Sequence, residues 1–93
     1  MLPLLIGLAL AGPYDDGVQA LKAGRSAEAE QALKQAVQAD PSAAAAWWEL
    51  GWAHWNQQEW AEARAAWERV QALQPDHPEV ASYLAAVREK EHL

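Results

Sequence analysis

Ninety-three residues with a hydrophobic content of 52%, much of it alanine, suffice for one small domain of closely packed helices. A net charge of −6 with no lysine or arginine cluster removes nucleic acid and anionic membrane surfaces as partners, because phosphate binding needs basic groups that displace counterions. The lack of cysteine excludes disulfides, thiol chemistry and thiolate metal sites.

Residues 1–12, MLPLLIGLALAG, carry no charged side chain. As a helix they would reach about 18 Å, short of a bilayer core of roughly 30 Å, so no membrane span is expected. Ala9-Leu10-Ala11 has the small-x-small form that precedes a signal cleavage point, while the missing basic residues and short length favour a retained segment that packs on the helices. Bacterial-type export and residence in the cytoplasm both stay open.

Residues 13–43 read as a helical hairpin broken at Gly24-Arg25-Ser26, with Ser26 as N-cap of the second helix, and closed by Asp40-Pro41-Ser42. Residues 44–77 repeat the plan, broken at Asn56-Gln57-Gln58 and closed at Gln74-Pro75-Asp76, since a proline cannot continue the helix before it. Residues 78–93 give a fifth helix with Pro78 at its first position. Its stripe of Val80, Tyr83, Leu84 and Val87 faces inward, and Glu79, Ser82, Arg88, Glu89 and Lys90 look outward.

The two hairpins are copies. Gly17 and Gly51, Ala27-Glu28-Ala29 and Ala61-Glu62-Ala63, Ala32 and Ala66, and Pro41 and Pro75 are each separated by 34 residues. In the second copy Trp47-Trp48-Glu49-Leu50-Gly51, then Ala63 and Trp67, then Pro75 follow the W-x2-L-G-x2-Y, A-x3-F, P pattern of the tetratricopeptide repeat. The chain from about Pro13 onward resembles that family. Pro13 and Asp16 replace the signature Trp and Leu in the first copy, and His54 replaces Tyr in the second. His54 is expected to be a packed, hydrogen-bonded residue. The fold implied is all-α: a right-handed α-solenoid of antiparallel helix hairpins, two repeat units plus a C-terminal capping helix. Two units and a cap lie near the lower limit for a continuous core.

All six tryptophans fall between Trp47 and Trp67, and phenylalanine is absent. Trp47 and Trp67 belong to the repeat's packing code. Trp48, Trp52 and Trp55 form a second stripe, rotated by about 100° on the same helix. The resemblance implies that the first helix of each unit lines a concave groove where peptides or partner helices bind. The positions it assigns are Trp48, Trp52, Trp55 and Asn56 from the second unit, Tyr14, Val18, Leu21 and Lys22 from the first, and Ser82, Ala86 and Glu89 from the cap. Adjacent indoles offer large apolar area and N–H donors, the make-up of a binding hot spot. Burial of the stripe by neighbouring units, or by Leu2 to Leu10 folding back, is the alternative.

Members that hold chaperone C-termini use lysines and asparagines in this groove. Here only Lys22 and Asn56 are of suitable type, which points instead to an apolar or aromatic peptide carrying basic residues that stack on indoles. Catalysis is not expected: His54 packs, His77 lies in a proline-flanked turn, His92 is at the C-terminal end, and no metal-ligand spacing, phosphate loop or nucleophile motif is present. No cofactor is implied. Carbohydrate is the weakest partner class, since only Glu49, Asn56, Gln57 and Gln58 stand beside the indoles. The reading is a protein-interaction module that binds an apolar or aromatic peptide or a partner helix. The alternative is a self-assembling structural protein in which the tryptophan stripe and the apolar N-terminus form contacts between copies.

Overall fold

The computed structural model describes residues 12–93; the apolar segment before Gly12, including Ala9-Leu10-Ala11, lies outside the described residues. Five helices follow in order: α1 (Pro13–Lys22), α2 (Ser26–Ala39), α3 (Ala44–Asn56), α4 (Trp60–Leu73) and α5 (Val80–Glu91). There is no strand among the described residues. Each helix packs on the next, and α1 also meets α3, so the hairpins stack as a solenoid of helix pairs.

The two hairpin turns are the same device. After α1, the Gly24 N–H bonds to the Leu21 carbonyl at 3.0 Å and the Arg25 N–H to the Ala20 carbonyl at 2.8 Å. After α3, the Gln58 N–H bonds to the Trp55 carbonyl and the Glu59 N–H to the His54 carbonyl, both at 2.9 Å. This is the paired-bond helix stop that needs a left-handed residue after the C-cap. Gly24 supplies it at φ +79°, and Gln58, its counterpart one repeat later, adopts φ +61° with a side chain attached.

Two helix starts differ from the expectation. Arg25, not Ser26, is the N-cap of α2; Ser26 is the first helical residue and no side chain caps the start. Helix α5 begins at Val80, two residues beyond Pro78. The reason lies in His77, whose Nδ1 accepts the N–H groups of both Glu79 and Val80 at 3.2 Å. The imidazole thus satisfies donors that the first turn leaves without intrahelical partners.

The core is in two parts. Around α1 to α3 it is built of small and aliphatic groups: Ala20, Ala29, Leu33, Val37, Ala46, Leu50, Ala53 and Ala66. Around α4 and α5 it is built of Ala63, Trp67, Val70, Val80, Leu84 and Val87, with Trp48, Trp52, Trp55, Trp60 and Tyr83 half-buried against them. Close approach is set by glycine in both hairpins. A methyl at Gly17 would overlap Leu33, and one at Gly51 would overlap the Trp67 indole. Trp67 is fully buried, and its Nε1 donates to the Trp48 carbonyl at 3.1 Å, so the one polar atom of the ring is satisfied.

Candidate functional site

Helices α1, α3 and α5, the first of each successive hairpin and the cap, form one face of the molecule. Its two halves differ. Between α3 and α5 the space is filled with rings: Tyr83 stands 5.4 Å from Trp48 and 5.0 Å from Trp52, both edge-on. Trp67 lies beneath, with Trp52 at 5.2 Å, Trp55 at 5.8 Å and Trp48 at 5.9 Å. His77 stacks on Trp48 at 4.7 Å, and Lys90 reaches over Trp60 at 5.5 Å and Trp55 at 6.0 Å. Each aromatic pair contributes about 0.5–1.5 kcal/mol beyond the area it buries. The stripe of Trp48, Trp52 and Trp55 is therefore held rigid from below and from the side, with part of each ring open. Asn56 continues it as an exposed residue, and Ser82 is exposed with its hydroxyl donating to the Glu79 carbonyl at 2.9 Å.

Between α1 and α3 the face is open. An apolar pocket of about 430 Å³ lies at its end, walled by Pro13 and Tyr14 of α1, Ala36 and Ala39 of α2, Ala43 of the linker, and Ala45 and Ala46 of α3. Tyr14 is 38% exposed, a large ring at the rim. Val18 and Leu21 are half-buried, Leu21 against the small-residue core, and Lys22 is exposed. The eleven expected groove residues thus fall into two groups: the indoles and Asn56 on α3 with Ser82, half-buried Ala86 and exposed Glu89 on the cap, and Tyr14, Val18, Leu21 and Lys22 along α1, of which Tyr14 lines the pocket.

Glu49, set beside the indoles from sequence but not among the groove positions, belongs to this face. Glu49 is half-buried, and burial raises its carboxyl above the ordinary range, opposed by the Lys22 ammonium. Its influence reaches the rim. The Tyr14 phenol is raised first by burial and then by the negative charges of Glu49 and Asp15. The signal was its position one helical turn after Ala45, on the side of α3 that faces α1.

His54 is the packed, hydrogen-bonded residue that was expected; what the sequence did not show is its partners. His54 is 6% exposed and its Nδ1 lies 2.7 Å from Glu59 Oε1 and 3.9 Å from Glu30 Oε1. Gln57 Nε2 donates to Glu30 Oε1 at 2.9 Å, and Lys34 pairs with the other Glu30 oxygen. The Lys34 hydrogen bond is the main reason the Glu30 carboxyl is lowered, burial opposing it and Gln57 adding to it. One ligand atom from each of Glu30, His54 and Glu59 lies within 4.8 Å of the others, a donor set of the kind that holds zinc. His54 Nδ1 is already engaged by Glu59, and Glu30 by Gln57 and Lys34, so the cluster serves as a polar bridge from α2 to the α3–α4 turn.

No curated protein matches the chain. A solved structure described as "First TPR of Spaghetti (RPAP3) bound to HSP90 peptide SRMEEVD" superposes with a TM-score of 0.84 at 25% identity, over 87% of this chain and 64% of that one. No helix among the described residues is long and apolar enough to cross a membrane. The tetratricopeptide-repeat family model matches residues 14–78, across the two hairpins, and again 51–90, from within α3 into the cap. The chain belongs to the tetratricopeptide-repeat family.

Proposed function

We propose that the chain is a non-catalytic protein-interaction module whose α1–α3–α5 face binds an extended peptide or partner helix through apolar and aromatic side chains. The observation that carries this reading is the continuity of the face. One helix, α3, carries both the half-exposed indoles packed on the cap and, through Ala45 and Ala46, one wall of the open apolar pocket, so a ligand meets anchoring surface on either side of it. The similar repeat domain bound to a peptide supports the same use of the fold. Trp48, Trp52, Trp55, Asn56 and Ser82 contact one end of the ligand, and Tyr14, Val18, Leu21 and Lys22 the other. The acidic peptide SRMEEVD does not suit this chain, because Asp15, Asp16, Asp40 and Glu49 surround the open half and Lys22 is the one cation beside Glu49.

Peptide selection against the full 93-residue chain, followed by titration of tryptophan emission, tests the proposal. Selected peptides should be rich in apolar and aromatic residues. Their affinity should fall about tenfold in Tyr14→Ala, an exposed position, with helical dichroism unchanged. A selection with no saturable binder overturns the reading, and a scattering mass that climbs with concentration would establish self-assembly in its place.

A further inference from the structure

We infer that the open half of the face is a two-part anchor for the motif apolar-x-Lys/Arg, the apolar side chain entering the pocket at Tyr14 and Ala45 and the cation meeting Glu49. This deepens the function proposed above and rests on it.

The first part is steric. The pocket measures about 430 Å³ and its walls are alanine methyls, a proline and the Tyr14 ring, with Asp40 as the one charged residue. The Asp40 carboxylate is already engaged: its Oδ1 accepts the Ser42 hydroxyl at 2.6 Å and the Ser42 N–H at 3.1 Å. An entering group therefore meets apolar surface, and the volume lies within the range of about 300–1,000 Å³ typical of ligand sites.

The second part is electrostatic. Glu49 has no hydrogen bond or ion pair among the described residues, although it is half-buried. Glu30, in a similar position between helices, has Lys34 and Gln57. Lys22 is the one cation whose charge reaches Glu49, and it forms no ion pair with it; Arg25 is held by Glu28, Arg64 by Glu91 and Glu68, Arg69 by the Trp47 ring and Lys90 by the indoles. A carboxylate partly stripped of water without a partner is a cost in the free protein. An arriving ammonium or guanidinium removes that cost and gains a charge-assisted hydrogen bond.

The spacing follows from the two elements. Ala45 and Glu49 are one helical turn apart, about 6 Å along α3. An extended peptide rises about 3.3 Å per residue and places alternate side chains on one side, about 6.6 Å apart. The apolar and cationic residues of the ligand are therefore separated by one residue.

The test uses fluorescein-labelled nine-residue Gly/Ser peptides and fluorescence anisotropy with the full chain. One peptide carries Leu-x-Arg, one Leu-x-citrulline, one Ala-x-Arg, and one Leu and Arg adjacent. Leu-x-Arg should bind about tenfold more tightly than each of the others. Glu49→Gln should erase the advantage of arginine over citrulline and keep that of leucine over alanine. Ala45→Phe, which fills the pocket, should do the reverse. Glu49→Lys should favour a Leu-x-Glu peptide. Equal affinity for arginine and citrulline, or a Glu49→Gln protein that behaves as the parent, overturns the inference. So does indifference to leucine against alanine, the result expected if residues 1–11 of the chain hold the pocket. If selected peptides still depend on Tyr14 while Glu49→Gln changes nothing, the groove reading stands and this one falls.

Discussion

At the α1–α2 junction Gly17 faces Leu33, and one repeat later at the α3–α4 junction Gly51 faces Trp67. The backbone register is the same and the filling is not. Leucine and alanine close the first junction and leave a pocket beside it, whereas the indole of Trp67 closes the second and gathers Trp48, Trp52, Trp55 and Tyr83 around it. A shared repeat fixes where helices lie, and side-chain volume then decides which half of the face remains open to a ligand.

Truncation is the most direct way to break this comparison. Trp67→Ala should cost about 3–5 kcal/mol in urea unfolding, above the cost of Leu33→Ala, about 2–5 kcal/mol, because four rings lose their common support. Equal losses at both sites would mean the aromatic junction is no better packed than the aliphatic one. Adding volume probes the same contrast. Gly51→Ala presses on the Trp67 indole and Gly17→Ala on the buried Leu33 side chain; each overlap should cost about 1–3 kcal/mol, more at Gly51 where the approach is closer, offset by about 1 kcal/mol of helix propensity.

Acidity separates two carboxylates with opposite signs. Glu30 has a lowered folded-state pKa, from the Lys34 bond first, so its contribution is present above the ordinary value of 4.5 and is lost as pH falls through the folded value. Glu49 has a raised value from burial. Its contribution is fully present below 4.5 and is lost as pH rises through the folded value, so at neutral pH it is a net cost. Stability measured against pH should therefore flatten on the acid side in Glu30→Gln. Glu49→Gln should be slightly more stable than the parent at pH 7, and a loss of stability there would contradict the unpaired state of Glu49. The smallest effect concerns the turns. Gln58→Gly should stabilise by about 0.5–1 kcal/mol by relieving a left-handed non-glycine residue, and Gly24→Ala should destabilise by about as much.

The spacing of Gly17, Gly51, Ala63, Trp67 and Pro75 made the helices and their pairing legible, because those residues encode contacts that every unit must repeat. The cap of α5 was less so. A proline at residue 78 signals a helix start, but the His77 ring takes the first donors and moves that start to Val80. The Glu30–His54–Glu59 bridge brings Glu30 of α2 to the α3–α4 turn across more than twenty residues of chain and leaves no local pattern. The pocket was hidden for a different reason. Ala36, Ala39, Ala43 and Ala45 read simply as helix formers, and the space arises only where three segments of small residues converge.

The confinement of all six indoles to residues 47–67 has an optical consequence. Tryptophan emission is weighted towards α3, α4 and their contacts with α5, with Trp47 alone packed against the core around α1 to α3, whereas far-ultraviolet dichroism weights every helix. Comparing the two signals along one denaturation curve measures how tightly the hairpins are coupled. Coincident midpoints mean that the solenoid melts as one unit, and a dichroism loss that precedes the emission change means that the alanine-rich hairpin unravels first.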